Sequence, residues 1–182
     1  MPRIPPLAYE DASPEARAAH DEGVDAYGRM TNMKRTLLHS LPAYRALMEW
    51  YPLRDTVLPF LGERLTYLFS HAISDQTDCL ICTTYMRRVL IDAGDDPENF
   101  ELNEREQLVV DFGRALAKQN AFVPDDLYRR LAKEFTDEQI VALTTFGALM
   151  LATNVFNNAL EVDLDEYLYE YTAEAAAKRA SS

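Results

Sequence analysis

Apolar residues recur at intervals of three and four along most of the chain, the spacing that places them on one face of an α-helix. From Leu53 to Ile73 the spacing continues without interruption, which predicts a single buried helix over this range. The sequence contains only six glycines, too few for the many tight turns that join neighbouring strands. The pattern therefore predicts an all-α protein.

Local signals set the bounds of the other predicted helices. Ser13 and Pro14 are typical of a helix start, and this first helix is expected to run towards Met30. Further helices are predicted over 34–50, interrupted or restarted at Pro42, and over 77–94, 104–118, 137–159 and 172–178, with a shorter helix opening at Pro124. No internal repeat or linker divides the chain, which predicts one domain over 1–182.

Composition and charge restrict the partners of the protein. The chain has 182 residues, is 48% hydrophobic and carries a formal net charge of -12, so it can build a core but repels phosphate groups. The first residues lack the apolar core of a signal peptide, and no uninterrupted apolar stretch reaches the roughly 18 residues of a membrane span. We therefore expect a cytoplasmic protein that binds neither nucleic acid nor a membrane.

The only two cysteines, Cys79 and Cys82, form a Cys-x-x-Cys motif after an acidic turn at 74–78. Thiols spaced i, i+3 at the start of a helix share a face, and the first lies near the positive end of the helix dipole. In a reducing compartment such a pair is more often catalytic, redox-sensing or metal-binding than a structural bridge. Two cysteines and three dispersed histidines do not make the four-ligand set of a structural zinc site, so thiol/disulfide exchange without a metal is favoured.

Several short segments follow one another in a recognisable order, namely Cys79-Leu80-Ile81-Cys82, Ile91-Asp92-Ala93-Gly94, residues 102–106, residues 135–140 and residues 154–160. In order and spacing they resemble the carboxymuconolactone decarboxylase and alkyl hydroperoxidase D-like superfamily, over residues 35–165. The resemblance implies a compact helical bundle with the cysteine pair at the start of a central helix, assembled as a dimer, trimer or hexamer. Residues 14–34 are then an N-terminal helical extension, 35–165 the family core and 166–182 a tail helix.

The same resemblance implies roles for individual residues. Cys82 matches the family's peroxide-attacking cysteine, and Cys79 matches the partner that forms the disulfide and exchanges with an external reductant. The family histidine four positions after the second cysteine is Met86 here, which cannot transfer a proton, so we expect weak peroxidase activity. The family glutamate about twelve positions before the first cysteine is Tyr67 here. Glu63 fills that role if the turn carries an insertion of about one helical turn.

Two further sets of residues are candidates for the site. His71, eight residues before Cys79, reaches the thiols across the turn if the two helices pack antiparallel. Asn154, Asn157 and Asn158 either line a pocket or form capping and interhelical hydrogen bonds, and we favour the second interpretation.

The main hypothesis is a thiol-dependent oxidoreductase. It would reduce a small hydroperoxide or disulfide without a metal or organic cofactor, and an external dithiol would restore the thiols. The alternative is a catalytically silent helical oligomerisation module in which both cysteines are buried packing residues. Acid/base catalysis on a small lactone or keto acid, a third possibility, lacks a recognisable histidine or carboxylate cluster in this sequence.

Overall fold

The computed structural model of the protein describes residues 1–181. Within this range it contains ten α-helices and no strand, which confirms the predicted all-α fold. The helices are α1 Pro14–Tyr27, α2 Asn32–Leu37, α3 Leu41–Met48, α4 Trp50–Leu61, α5 Glu63–Gln76, α6 Leu80–Asp92, α7 Glu104–Ala117, α8 Asp125–Glu134, α9 Asp137–Leu160 and α10 Ala173–Ala180. Short 3₁₀ segments lie at Tyr9–Asp11, Gln119–Ala121 and Glu166–Tyr171.

The single helix predicted over 53–73 is wrong, because the chain breaks at Gly62. This residue has φ 80° and ψ 161°, a backbone conformation that is essentially restricted to glycine. Helix α4 ends just before it and α5 begins just after it. The apolar spacing continues through the break, since both helices bury residues in the same core.

The helix predicted over 34–50 is also divided, into α2 and α3. Helix α2 ends at Leu37, and Ser40 adopts an extended conformation before the next helix begins. Pro42 lies in the first turn of α3, where its missing N–H costs no helical hydrogen bond. The alternative in which Pro42 restarts the helix is therefore confirmed.

Helix α5 packs against α4, α6, α7 and α9. At its middle, Phe69 is fully buried and stacks on Phe112 and Phe146, with ring centroids 6.2 and 6.1 Å away. Gly113 on α7 and Gly147 on α9 allow this close approach, because a Cβ at either position would lie 3.0 Å from the Phe69 ring. The tight packing fixes α5, and with it the turn that leads to the cysteines.

The N-terminal helices form a second, smaller hydrophobic cluster. Its buried members are Ala19, Leu37, Leu38, Tyr44 and Met48. Before these helices, the backbone N–H of Arg3 donates to the carbonyl of Leu160 at the end of α9, at 2.9 Å. The division into an N-terminal extension (14–34), a family core (35–165) and a tail helix (166–182) stays a prediction.

One helix of residues 1–181, α9, is long and apolar enough to cross a membrane by length and composition. This is weak evidence for a span, because the core helix of a soluble protein passes the same test. Helix α9 packs against α4, α5, α7 and α8, as a core helix does.

Candidate active site

The cysteine pair lies at the turn between α5 and α6. Asp78 adopts a left-handed conformation with φ 51°, and Cys79 follows in an extended conformation as the residue that precedes the first turn of α6. The Cys79 N–H donates to the carbonyl of Ser74 near the end of α5, at 3.1 Å. The Cys79 thiol therefore lies at the N-terminal end of α6, with Cys82 one turn further on.

Two asparagines of α9 hold this turn in place. The Asn154 side-chain amide donates to Thr77 Oγ1 at 2.8 Å, and the Asn158 amide donates to the Thr77 carbonyl at 2.9 Å. The interhelical hydrogen bonds predicted for the asparagine cluster are confirmed for these two residues. They fix the position of the turn relative to α9, which comes more than seventy residues later in the chain.

Asn157, between them on α9, reaches the sulfur atoms. Its Nδ2 lies 3.3 Å from Cys82 Sγ and 3.9 Å from Cys79 Sγ, and all three residues are buried. From the sequence, Asn157 was expected to form capping or interhelical hydrogen bonds. The signal that could have identified it is the spacing of Asn154, Asn157 and Asn158 at i, i+3 and i+4, which places three amides on one face of a largely apolar helix segment.

Both cysteines are reduced, and their thiols lie 3.4 Å apart. The hydrogen bond between the two thiols lowers the pKa of Cys79, aided by the backbone N–H groups of Ile81 and Cys82 at the helix start. The same hydrogen bond, together with burial and the charge on Cys79, raises the pKa of Cys82 well above its usual range. When the pair carries a single proton, the negative charge is therefore on Cys79 and the proton on Cys82.

Cys82 forms part of the wall of a cavity of about 90 Å³, larger than the roughly 10–15 Å³ that one water requires. The other lining residues come from α2, α3, α4, α6, α9 and the 3₁₀ segment 166–171, and are largely apolar or aromatic. They include Met33, Met48, Met86, Met150, Trp50, Tyr51, Tyr85, Tyr167 and Leu168, with Lys34 and Asp165 as the charged members. Cys79 is fully buried and does not line this cavity, so a small molecule inside it meets Cys82.

Comparison with solved structures identifies the architecture. A peroxidase-related protein from Ralstonia eutropha JMP134, described as an alkylhydroperoxidase AhpD core, aligns with a TM-score of 0.75 at 18% identity, over 93% of this chain and 95% of that one. A peroxidase-related protein from Silicibacter sp. TM1040 aligns with a TM-score of 0.72 at 16% identity, over 90% and 92% of the two chains. The chain has the AhpD-like fold.

The apo structure of the debrominase Bmp8 has the same fold, with a TM-score of 0.75 at 15% identity over 92% of this chain and 95% of that one. Identities this low establish the fold and leave the activity open. No family model matches the sequence, and no curated protein matches it.

Within the AhpD-like fold of this chain, Glu63 and His71 form hydrogen bonds with neither sulfur. Glu63 is exposed in the first turn of α5. His71 packs against Phe100 with ring centroids 5.5 Å apart, and its Nε2 is buried without a hydrogen-bond partner. Burial lowers the pKa of His71 to about 4, which leaves the imidazole neutral at physiological pH. The proton-relay roles of both residues stay predictions.

Met86 and Tyr67 occupy the positions at which the family resemblance implied a histidine and a glutamate. Met86 is buried one turn after Cys82 and lines the same cavity. Burial raises the pKa of the Tyr67 phenol, which also bonds to Arg54. Neither side chain is a proton acceptor at neutral pH. The Cys79 sulfur, 3.4 Å from that of Cys82, is the proton acceptor in direct contact with it.

Replacing Asn157 with leucine is expected to raise the pH at which the thiolate of the pair forms. The Asn157 amide lowers the pKa of both cysteines, since it donates a hydrogen bond towards each sulfur. Thiolate absorbance near 240 nm, followed against pH, measures the shift. Asn158→Ala is the matched control, because it removes the bond to the Thr77 carbonyl and no contact with sulfur. A titration of Asn157→Leu that superimposes on the wild-type curve would contradict the assignment.

Proposed function

We propose that the protein is a thiol-dependent oxidoreductase that reduces a small hydroperoxide or disulfide at the Cys79/Cys82 pair. The observation that carries this proposal is the 3.4 Å separation of two reduced thiols, one of which faces a largely apolar cavity. The AhpD-like neighbours that are described as peroxidase-related support the same class of reaction. No group of three potential metal-ligating side chains occurs among the described residues, and the proposed steps require no metal.

The reaction begins with a proton transfer within the pair. Cys79 accepts the proton of Cys82, and the Cys82 thiolate attacks the terminal oxygen of a hydroperoxide in the cavity. The O–O bond breaks, Cys82 becomes a sulfenic acid, and the alkoxide takes the proton from Cys79 and leaves as an alcohol. In this scheme Cys79 is the general base, the role that the family resemblance assigns to a histidine.

The second step forms the disulfide. The regenerated Cys79 thiolate attacks the sulfur of the Cys82 sulfenic acid, and hydroxide leaves and is protonated to water. The protein loses two electrons, and the hydroperoxide is reduced to an alcohol and water. An external dithiol then reduces the disulfide through a mixed-disulfide intermediate.

For a disulfide substrate the chemistry is thiol–disulfide exchange. The Cys82 thiolate attacks one sulfur of the substrate and expels a thiolate, which leaves a mixed disulfide on Cys82. Cys79 then attacks Cys82 and releases the second thiol. We propose that either reaction takes place in the cytoplasm, where dithiol reductants are abundant. A homo-oligomeric assembly remains a prediction.

The test is oxidation of the full chain by one equivalent of cumene hydroperoxide. We expect the protein to lose both titratable thiols and to decrease in mass by two hydrogens, because the product is an intramolecular disulfide. A dithiol such as dithiothreitol should restore both thiols. If both thiols persist after prolonged incubation with excess hydroperoxide and with small disulfides, the proposal is wrong.

The silent oligomerisation module is the alternative, and the burial of both sulfurs favours it. Cys79 has no exposed surface and Cys82 is 6% exposed. Labelling of the native protein with a small thiol reagent separates the two functions. An active site predicts that one thiol, Cys82, reacts through the cavity much faster than the other, whereas a silent module predicts that both react only as fast as the protein unfolds.

A further inference from the structure

Basic side chains stack on all four aromatic rings that line the cavity. Arg54 lies 5.5 Å from the ring centroid of Trp50 and 5.4 Å from that of Tyr51, and Lys34 lies 5.0 Å from that of Tyr51. Arg88 lies 5.3 Å from the centroid of Tyr85 and 5.4 Å from that of Tyr167. Arg29 lies 3.8 Å from the centroid of Tyr167. Of these cations, only Lys34 lines the cavity itself. The three arginines therefore lie behind the rings, outside the cavity wall.

This concentration of positive charge is unusual in a chain with a net charge of -12. Arg54 pairs with Asp55 at 2.7 Å, and Arg88 lies 3.9 Å from Asp92. Lys34 and Arg29 form no direct ion pair within the described part of the chain, although the charge of each acts on Asp165. The one acidic residue on the cavity wall is Asp165, whose pKa is raised by burial. The cavity therefore has an excess of positive charge beside its wall.

Residues that line the cavity also carry hydrogen-bond donors that the protein does not use. In the described residues, the hydroxyl groups of Tyr51, Tyr85 and Tyr167 form no hydrogen bond with the protein. Burial raises the pKa of Tyr51 and Tyr167, so these phenols keep their protons. The Lys34 ammonium uses one N–H to bond the Arg29 carbonyl at 3.1 Å, and two of its three donors remain.

We propose that the cavity binds a small planar organic anion, a carboxylate or phenolate carried on an aromatic ring, and that Lys34 selects for its charge. The anionic oxygen accepts hydrogen bonds from Lys34 and the tyrosine hydroxyls, while the ring packs against the aromatic and methionine side chains. Four of the six methionines of the protein line the cavity, and their flexible side chains can repack around a ring. The proposal that this anion is the substrate rests on the proposed function, because the anion would carry the hydroperoxide or disulfide that Cys82 reduces.

The test uses three probes of nearly the same shape and different charge: benzoate, benzamide and benzamidine. Trp50 is the only tryptophan and lines the cavity, so its fluorescence reports binding to the full chain, with calorimetry as a second readout. We expect benzoate to bind about tenfold or more tightly than neutral benzamide, and benzamidine to bind least. Lys34→Met should lower the affinity for benzoate about tenfold and leave that for benzamide within about twofold.

Arg129→Met is the matched control, because it removes the same unit of charge from an exposed position on α8 and should change none of the affinities. Arg29→Met, at an exposed residue, should lower benzoate affinity less than Lys34→Met does, and it serves as the test if Lys34→Met fails to fold.

Equal affinities for benzoate and benzamide, absence of benzoate binding, or equal losses in Lys34→Met and Arg129→Met would overturn the inference. The titrations involve no peroxide or thiol oxidation, so failure of the redox proposal alone would leave the benzoate preference intact.

Discussion

Replacing Cys82 with serine is expected to slow hydroperoxide consumption by at least about a thousandfold, the scale on which enzymes lose activity without their nucleophile. Cys82 is the cysteine that lines the cavity wall, and Cys79 is fully buried and does not line it. Serine keeps the size and the hydrogen-bonding capacity of the side chain, so the loss reports chemistry rather than packing. Stopped-flow measurement with cumene hydroperoxide gives the two rates.

Cys79→Ser is the informative companion variant. Cys82 still faces the cavity in this variant, but it has lost its proton acceptor, so it attacks more slowly, and no second thiol is available to resolve the oxidised sulfur. The product should therefore be a Cys82 sulfenic acid, which dimedone traps and mass spectrometry locates. The opposite pattern, with an inert Cys79→Ser and a sulfenic acid on Cys79 in Cys82→Ser, would assign the attack to Cys79.

Replacing Phe69 with alanine is expected to lower the free energy of unfolding by about 3–5 kcal/mol. Phe69 is fully buried at the middle of α5 and stacks on rings from α7 and α9, so its removal leaves a cavity at the junction of three helices. Single domains are stable by only about 5–15 kcal/mol, so the variant should be close to unfolding at 37 °C. Urea unfolding followed by circular dichroism measures the difference.

The control for this prediction is Phe122→Ala. Phe122 is 69% exposed, and its removal should change the stability by no more than about 0.5 kcal/mol. Similar losses in the two variants would mean that the Phe69 site relaxes around the missing ring and that the centre of the bundle is less tightly packed than described.

Helix starts were predictable because their signals are local. The side chains of Asn103 and Glu106 exchange hydrogen bonds with each other's backbone at the start of α7, and Thr136 and Gln139 do the same at the start of α9. The break at Gly62 was missed because a single glycine within a regular apolar pattern is compatible with a continuous helix. Only the packing of α4 and α5 against the core requires the chain to turn there.

The two cysteines of the candidate site were also predictable from the sequence, because they lie one helical turn apart along the chain. Asn157 and Lys34 were not assigned to it, because each reaches the site from a distant part of the chain. An asparagine on an apolar helix and a lysine in an N-terminal segment carry no local mark of the contacts that they form. Met86, by contrast, was identified in the sequence at the position of the family histidine, and it lines the cavity beside Cys82.

The wall of the cavity is drawn from both ends of the chain, from α2 and α3 on one side and from the 3₁₀ segment 166–171 on the other. Removal of either segment would open the cavity and expose Cys82, whereas the hydrogen bonds from α9 to Thr77 beside the cysteines involve neither segment. The trimmed protein would then react with any water-borne oxidant that collides with it, such as hydrogen peroxide or glutathione disulfide. Under the proposed function, these two segments therefore restrict which oxidants reach Cys82.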